Sequence, residues 1–186
     1  MTSRTFAAIV SRHLGWLVTV ALHLHRYHAL DETYRIPSRV VHAALAMADW
    51  IRENVAQPVI IGPDKESQQW VAADAGAPSS SAKRSGRATE RCGISLPRTE
   101  ALVGRQPVLV DDIASSGRTL AVAARQLGER GFGPADCVVV HPLFADDAAQ
   151  VLSSSLRRIV STNTIVHATN SIDMAGSIAE AVRTFL

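Results

Sequence analysis

The sequence predicts an α/β fold built on a doubly wound, mostly parallel sheet, and three observations lead there. Short apolar runs without polar alternation recur at Val59–Ile61, Val108–Val110 and Cys137–Val140, the pattern of strands covered on both faces. Segments of helical period separate these runs, as crossover connections require. With 47% hydrophobic residues in a chain of 186, there is enough apolar material for one well-buried core.

Composition also narrows the functional classes. A net charge of +2 gives no electrostatic footprint for bulk nucleic-acid binding, so a small-molecule partner is expected and no nucleic acid. Cys92 and Cys137 stand far apart and form no CxxC pair, which argues against a disulfide framework or a zinc site and for a reducing cytoplasm. The apolar region from Phe6 to Leu24 is interrupted by Arg12 and His13, leaving Leu14–Leu22 as its longest clean run. That run is too short to span a bilayer, so the region reads as core and no membrane is expected.

In chain order, Thr5–Leu14 suits a helix and Trp16–Leu22 a strand that runs into His23, His25 and His28. His23 and His25, two apart, share a face if the strand continues, so this cluster is either a metal site or a set of surface groups. Ile36-Pro37 makes a stop and Ser38 a helix cap, after which Val40, Ala44, Met47 and Ile51 line one helix face as far as Glu53. Strand Val59–Ile61 follows, ending in Gly62-Pro63-Asp64, where the acid is a turn residue or a ligand. Residues 65–75 suit a helix with Trp70 and Ala73 inward.

From Ala77 to Gly93 large apolar side chains nearly vanish, and Lys83, Arg84, Arg87 and Arg91 make the stretch a cationic loop. Such a loop is either a solvated surface or a cover that closes over transferring phosphates. Ile94–Leu96 is read as a short strand. After the central site come strand Cys137–Val140, His141 in a structural role, and a helix over Ala145–Leu156 with Val151 and Leu152 inward. Ile159-Val160 with Thr162–Ile165 forms a strand and turn, and a last helix from Ile172 places Ile178, Val182 and Phe185 on one side.

The chain is organised around Val108–Thr119, VLVDDIASSGRT. The apolar run is a strand, and strand carboxyl ends are where such sheets bind ligands. Leu120, Ala123, Ala124 and Leu127 then follow at helical spacing until Gly131, so the loop opens a helix. A helix start offers unpaired N–H groups and the positive end of the macrodipole. Ser115, Ser116 and Thr119 add hydroxyls, and Gly117 lets the backbone come close. A phosphate dianion suits this loop. Asp111 and Asp112 would repel that dianion at contact and suit ribose hydroxyls or a bridging Mg2+.

This stretch resembles the phosphoribosyl pyrophosphate (PRPP) loop of type I phosphoribosyltransferases and PRPP synthetases. Three further segments resemble the synthetases. TVALHLHRYH is similar to a strand ending in Asp-x-His whose His helps hold the Mg2+ of MgATP. His23 matches that His, and Ala21 stands where the family has the Asp. PVIIGPD is similar to a strand-Pro-Asp segment whose Asp contacts the metal or the ribose, which makes Asp64 a second candidate for the Mg2+; Thr162–Ile165 is similar to a late Thr-x-Thr-Ile segment. The cationic stretch falls where the family has a flexible catalytic loop with a Lys and an Arg two residues on. Lys83 matches the Lys, and Arg84 or Arg87 stands in for the Arg because Ser85 holds the matching position.

The resemblance implies a phosphoribosyltransferase-like fold in which residues 1–38 are a remnant of the synthetases' first domain and 39–186 most of the second. It implies transfer of the β,γ-diphosphoryl group of MgATP to ribose 5-phosphate, with Mg2+ as cofactor, ATP and ribose 5-phosphate or PRPP as ligands, and a homo-oligomer. In it Ser115, Ser116, Gly117, Arg118 and Thr119 hold the 5-phosphate, Asp111 and Asp112 the ribose, His23 and Asp64 the Mg2+, and Lys83 and Arg84 serve catalysis. Two alternatives share the central loop: a phosphoribosyltransferase that consumes PRPP, and a non-catalytic sugar-phosphate-binding homologue.

Overall fold

A computed structural model describes residues 3–21, 29–62, 71–81, 83–85, 93–95, 102, 104–145 and 148–186. The chain divides into two compact units, one of residues 1–43 with 174–186 and one of residues 44–173.

In the first unit, α1 (Ser3–His13) precedes β1 (Leu17–Ala21), and β2 (Ser38–His42) pairs with β1 in parallel, Leu17 opposite Ser38 and Ala21 opposite His42. The expectation of a helix capped by Ser38 is corrected here. The residues after Pro37 extend into a strand, and Val40 belongs to β2. The β-branched pair Val40-Val41 prefers a pleated surface beside Thr19 and Val20, its register partners. The carboxyl-terminal helix α6 (Ala175–Arg183) packs against β1 and β2, and the Phe185 ring stacks on Trp16 with centroids 5.4 Å apart. This last helix starts three residues later than the pattern suggests, because Ile172 is taken into a strand.

The second unit holds α2 (Ala44–Asn54), β3 (Pro58–Gly62), helical residues 71–75 (α3), β4 (Ser79–Ser81), β5 (Lys83–Ser85) and β6 (Gly93–Ser95). These are followed by β7 (Gln106–Ala114), α4 (Arg118–Glu129), β8 (Asp136–Pro142), α5 (Ala148–Ser153), β9 (Arg158–Thr162) and β10 (Asn170–Ile172). Six strands form one parallel sheet in the order β10-β9-β8-β7-β3-β4, while β5 and β6 make a separate antiparallel pair. The doubly wound parallel architecture is therefore observed. Its order reverses between β3 and β7, since β3 leads outward to β4 and β7 leads the other way to β8. Such a reversal leaves a crevice at the strands' carboxyl ends.

One face of the sheet buries Val59, Ile61, Leu109, Cys137 and Val139 against Leu120, Ala123, Ala124 and Leu127 of α4 and Leu152 of α5. The alternate residues Ile60, Val108, Val110, Val138 and Val140 are equally buried and point to the opposite face. Several details differ from the sequence expectation. Short strands interrupt the stretch read as a loop from Ala77 to Gly93. In α3, Val71, Ala72 and Ala75 are the buried positions and Ala73 is exposed. Helix α5 is shorter than Ala145–Leu156, and it turns Leu152 inward but leaves Val151 exposed.

At the amino-terminal edge of this sheet, the fully buried Asp136 receives the Arg157 Nε at 2.8 Å and pairs with the Arg158 Nε at 3.1 Å. Its hydrogen bond to Asp136 holds the Arg157 guanidinium above the ordinary arginine range. Arg158 also donates to the Asn54 carbonyl oxygen at 2.8 Å and lies over the Trp50 ring, 4.6 Å from its centroid. A buried carboxylate is tolerated here because two cations and their hydrogen bonds satisfy it.

Candidate functional site

The central strand is longer than its apolar run. Instead of stopping before the acids, β7 continues through Asp111, Asp112 and Ile113 to Ala114. On one edge β8 accompanies it to the end, with Ile113 opposite His141 and Ala114 opposite Pro142. On the other edge the pairing with β3 runs from Pro58 opposite Gln106 to Ile61 opposite Leu109. Residues 111–114 thus overhang the partner strand at the point where the sheet order reverses, and the two acids stand at that notch.

Strand alternation sends the two acids to opposite faces. The Asp112 amide donates to the Asp111 Oδ1 at 2.9 Å, so one carboxylate is held against the neighbouring backbone. Both acids are half-buried. Asp111 also acts through the sheet. With the larger effect of burial and a further contribution from Asp136, its charge pushes the Cys137 thiol far above the ordinary range.

Beyond Ala114 the chain turns over Ser115 and Ser116, both exposed, to the buried Gly117, and α4 begins at Arg118. Gly117 is the residue before the helix and sits at φ +66°, a left-handed conformation that favours glycine. Sequence reading places the helix start one residue later and gives Gly117 a role in approaching a ligand. The structure adds that the site beneath it is filled, because a Cβ there would meet Leu152 Cδ1 at 2.6 Å.

The loop's polar groups are sorted by direction. The Phe144 amide donates to the Ala114 carbonyl oxygen at 2.8 Å and the Ala145 amide to that of Ser115 at 3.1 Å. The Gly117 carbonyl oxygen accepts from Ala121 at 2.9 Å. Carbonyls are thereby tied back into the protein. Among the described residues, no backbone carbonyl accepts from the amides of Ser116 or Gly117, and those of Arg118 and Thr119 open the helix without intrahelical acceptors. A cavity of about 170 Å³ lies over this loop, bounded by Asp111, Ala114 and residues 115–117 with Thr119, and by the apolar side chains of Ile113 and Leu120. Oriented amides, serine and threonine hydroxyls and a helix start on one side, with a carboxylate at the other end, suit an anion joined to a polyol.

The structure therefore brings together Asp111, Ser115, Ser116, Gly117 and Thr119, with Asp112 and Arg118 adjacent in the chain. His23 and Asp64 lie outside the described residues. Lys83 and Arg84 lie in β5, paired with Ser95 and Ile94, and their side chains are not described. Gly62, two residues before Asp64, ends β3 beside the notch. His141 bonds through its Nδ1 to Thr164 Oγ1 at 2.9 Å, and Thr162 Oγ1 donates to the Val140 carbonyl oxygen at 2.7 Å. The threonine-rich turn after β9 thus braces the end of β8. Two site features escape the sequence reading: Ile113, whose exposure at a strand end carries no sequence signal, and Leu152, whose apolar spacing in α5 does not say which turn it touches.

Among the described residues, no helix is long and apolar enough to cross a membrane. Nor does any group of three or more His, Cys, Asp or Glu among them form a metal-holding cluster.

The chain is 29% identical over 185 residues to a ribose-phosphate pyrophosphokinase of Methanopyrus kandleri, covering 96% of this chain and 62% of the relative. It is 31% identical over 174 residues to one of Methanothermobacter thermautotrophicus, covering 90% and 58%. The chain thus spans about three fifths of the length of these relatives. Its fold matches that of phosphoribosylpyrophosphate synthetase from Mycobacterium smegmatis with a TM-score of 0.80 at 20% identity, over 98% of this chain and 63% of that one. Residues 35–185 match the family model of the phosphoribosyl synthetase-associated domain, and the chain belongs to that family.

Proposed function

We propose that this protein binds ribose 5-phosphate at the β7–α4 loop and acts as a PRPP synthetase, transferring the β,γ-diphosphoryl group of MgATP to the sugar. The observation that carries the reading is the sorting of the loop: carbonyls bonded inward, with amides of residues 116–119 and the hydroxyls of Ser115, Ser116 and Thr119 left for a ligand. In this reading the 5-phosphate sits on residues 115–119, Arg118 adds a cation at its rim, and Asp111 and Asp112 accept hydrogen bonds from the ribose hydroxyls. The anomeric oxygen attacks the β-phosphorus of ATP, the bond to the bridging oxygen of the α-phosphate breaks, AMP leaves, and the hydroxyl proton passes to solvent.

Lys83 and Arg84 would offset charge on the transferring phosphates. The donor chemistry fits Mg2+, a hard cation held by few protein oxygens together with substrate phosphates. His23 and Asp64 are the residues that the resemblance assigns to it, and when bound it would neutralise phosphate charge. A reducing cytoplasm and a homo-oligomeric assembly complete this reading.

A second reading, a sugar-phosphate-binding homologue without turnover, is favoured by Ala21 at the end of β1, where the synthetase segment it resembles carries a carboxylate. Calorimetry with ribose 5-phosphate and with PRPP, combined with a coupled assay of AMP release, tests both. AMP formed from ATP and ribose 5-phosphate supports the synthetase; binding without turnover supports the homologue. Diphosphate released from PRPP with a nucleobase would instead make the protein a phosphoribosyltransferase.

A further inference from the structure

The loop that would receive the phosphate has a floor, and one side chain makes it. A Cβ on Gly117 would lie 2.6 Å from Leu152 Cδ1 and 2.8 Å from Leu152 Cγ, so Leu152 occupies the space directly beneath this backbone turn. Leu152 is fully buried and locked among the apolar residues shared by the sheet, α4 and α5. Phe144 and Ala145, on the segment leading toward α5, hold the Ala114 and Ser115 carbonyls at 2.8 and 3.1 Å. The Phe144 ring in turn rests on His167, centroids 4.8 Å apart. The turn is therefore fixed from behind at three successive points, Ala114, Ser115 and Gly117.

Backbone amides bind an anion well only when several converge at hydrogen-bonding distance, and a turn free to sink would lose that convergence. Close-packed interiors transmit such displacements because they leave little slack. We infer that Leu152 is a positioning residue for the phosphorylated ligand: by setting the depth of Gly117 it aims the amides of Ser116, Gly117 and Arg118. Residues on the far side of the same core do not share this role. The inference rests on the proposed reading that the loop takes the 5-phosphate.

The test compares Leu152→Ala with Leu127→Ala, a truncation of equal size in the same core but at the far end of α4, using calorimetry with ribose 5-phosphate. Leu152→Ala is expected to raise Kd about tenfold or more, Leu152→Met to restore it, and Leu127→Ala to leave it within about twofold despite a comparable fall in Tm. Hydrogen exchange of the Phe144, Ala145 and Ala121 amides, which donate to the Ala114, Ser115 and Gly117 carbonyls of the turn, should quicken about tenfold in Leu152→Ala alone in the ligand-free protein. Gly117→Ala should weaken binding less when combined with Leu152→Ala than in the native background, because the truncation removes the clash. Equal Kd and equal exchange in the two alanine variants, or a Gly117→Ala effect indifferent to Leu152, would overturn the assignment. If the unaltered protein bound no ribose 5-phosphate, the reading of the loop would fail. The exchange rates would still decide whether Leu152 holds the turn.

Discussion

The Asp112 amide donates to the Asp111 carboxylate at 2.9 Å, so the two acids at the end of β7 are not equivalent. One steadies the backbone that carries the other. Asp111→Asn keeps an oxygen that can accept this hydrogen bond and removes only the charge, whereas Asp111→Ala removes both. If the proposed reading holds, asparagine at either position is expected to weaken ribose 5-phosphate binding about tenfold, because an acceptor for a ribose hydroxyl would lose its charge. The double variant should weaken it further, and Asp111→Ala should also lower Tm. Titration calorimetry and thermal unfolding check these outcomes, and an unchanged Kd in the double variant would place the sugar elsewhere.

Ala21 ends β1, at the place where the resembled synthetase segment carries an acid. A carboxylate supporting a cation site changes metal affinity by about 10–100-fold. Ala21→Asp is accordingly expected to tighten MgATP binding by at least about tenfold without altering ribose 5-phosphate affinity. Equal MgATP affinity in the two proteins would mean that this strand end has no part in nucleotide binding.

The Cys137 thiol gives a pH test of the core. Burial, with Asp111 and Asp136 adding to it, raises its ionisation far above the ordinary thiol range. The folded state therefore keeps a proton that the unfolded state releases. Stability is fully present below the ordinary thiol pKa of about 8.5 and falls as pH rises beyond it, by at most about 1.4 kcal/mol per pH unit. In a Cys92→Ser background, stability measured from pH 7 to 10 should show this decline, and Cys137→Ala should flatten it. Labelling of Cys137 by a thiol reagent should proceed only at the rate of unfolding.

Asp136 is held by Arg157 and Arg158 at the opposite end of the sheet from the phosphate loop. Removing the shared acid leaves both guanidinium groups without their buried partner. Asp136→Asn is expected to cost about 3 kcal/mol of stability, a broken buried pair being far more harmful than a broken surface one. Arg157→Ala should cost less, since Arg158 still holds the carboxylate from its place on Trp50. Urea unfolding distinguishes the two, and equal losses would contradict the account.

The fold was legible where a single local rule dominated. Continuous apolar runs such as Val59–Ile61 and Cys137–Val140 became buried parallel strands, and the Leu120–Leu127 spacing became the buried face of α4. It was misread where partners outside the segment decide. Ser38–His42 looks like a helix start until β1 is present to pair with it, and Ile172 joins a strand because Ser161 and Thr162 supply its ladder. The loop's chemistry was readable from SSGRT, but its direction was not. That depends on Phe144, Ala145 and Leu152, which lie some thirty residues downstream and meet the turn only after the sheet has formed.

Whether the β7–α4 turn grips a phosphorylated pentose is decided by an amide-resolved NMR titration of the nitrogen-15-labelled protein with ribose 5-phosphate. Saturable shifts are expected at Ser115, Ser116, Gly117, Arg118 and Thr119, reversed by excess inorganic phosphate and smaller for ribose lacking the phosphate. Saturation with those five amides unmoved, or shifts confined to other residues, would contradict the proposed grip.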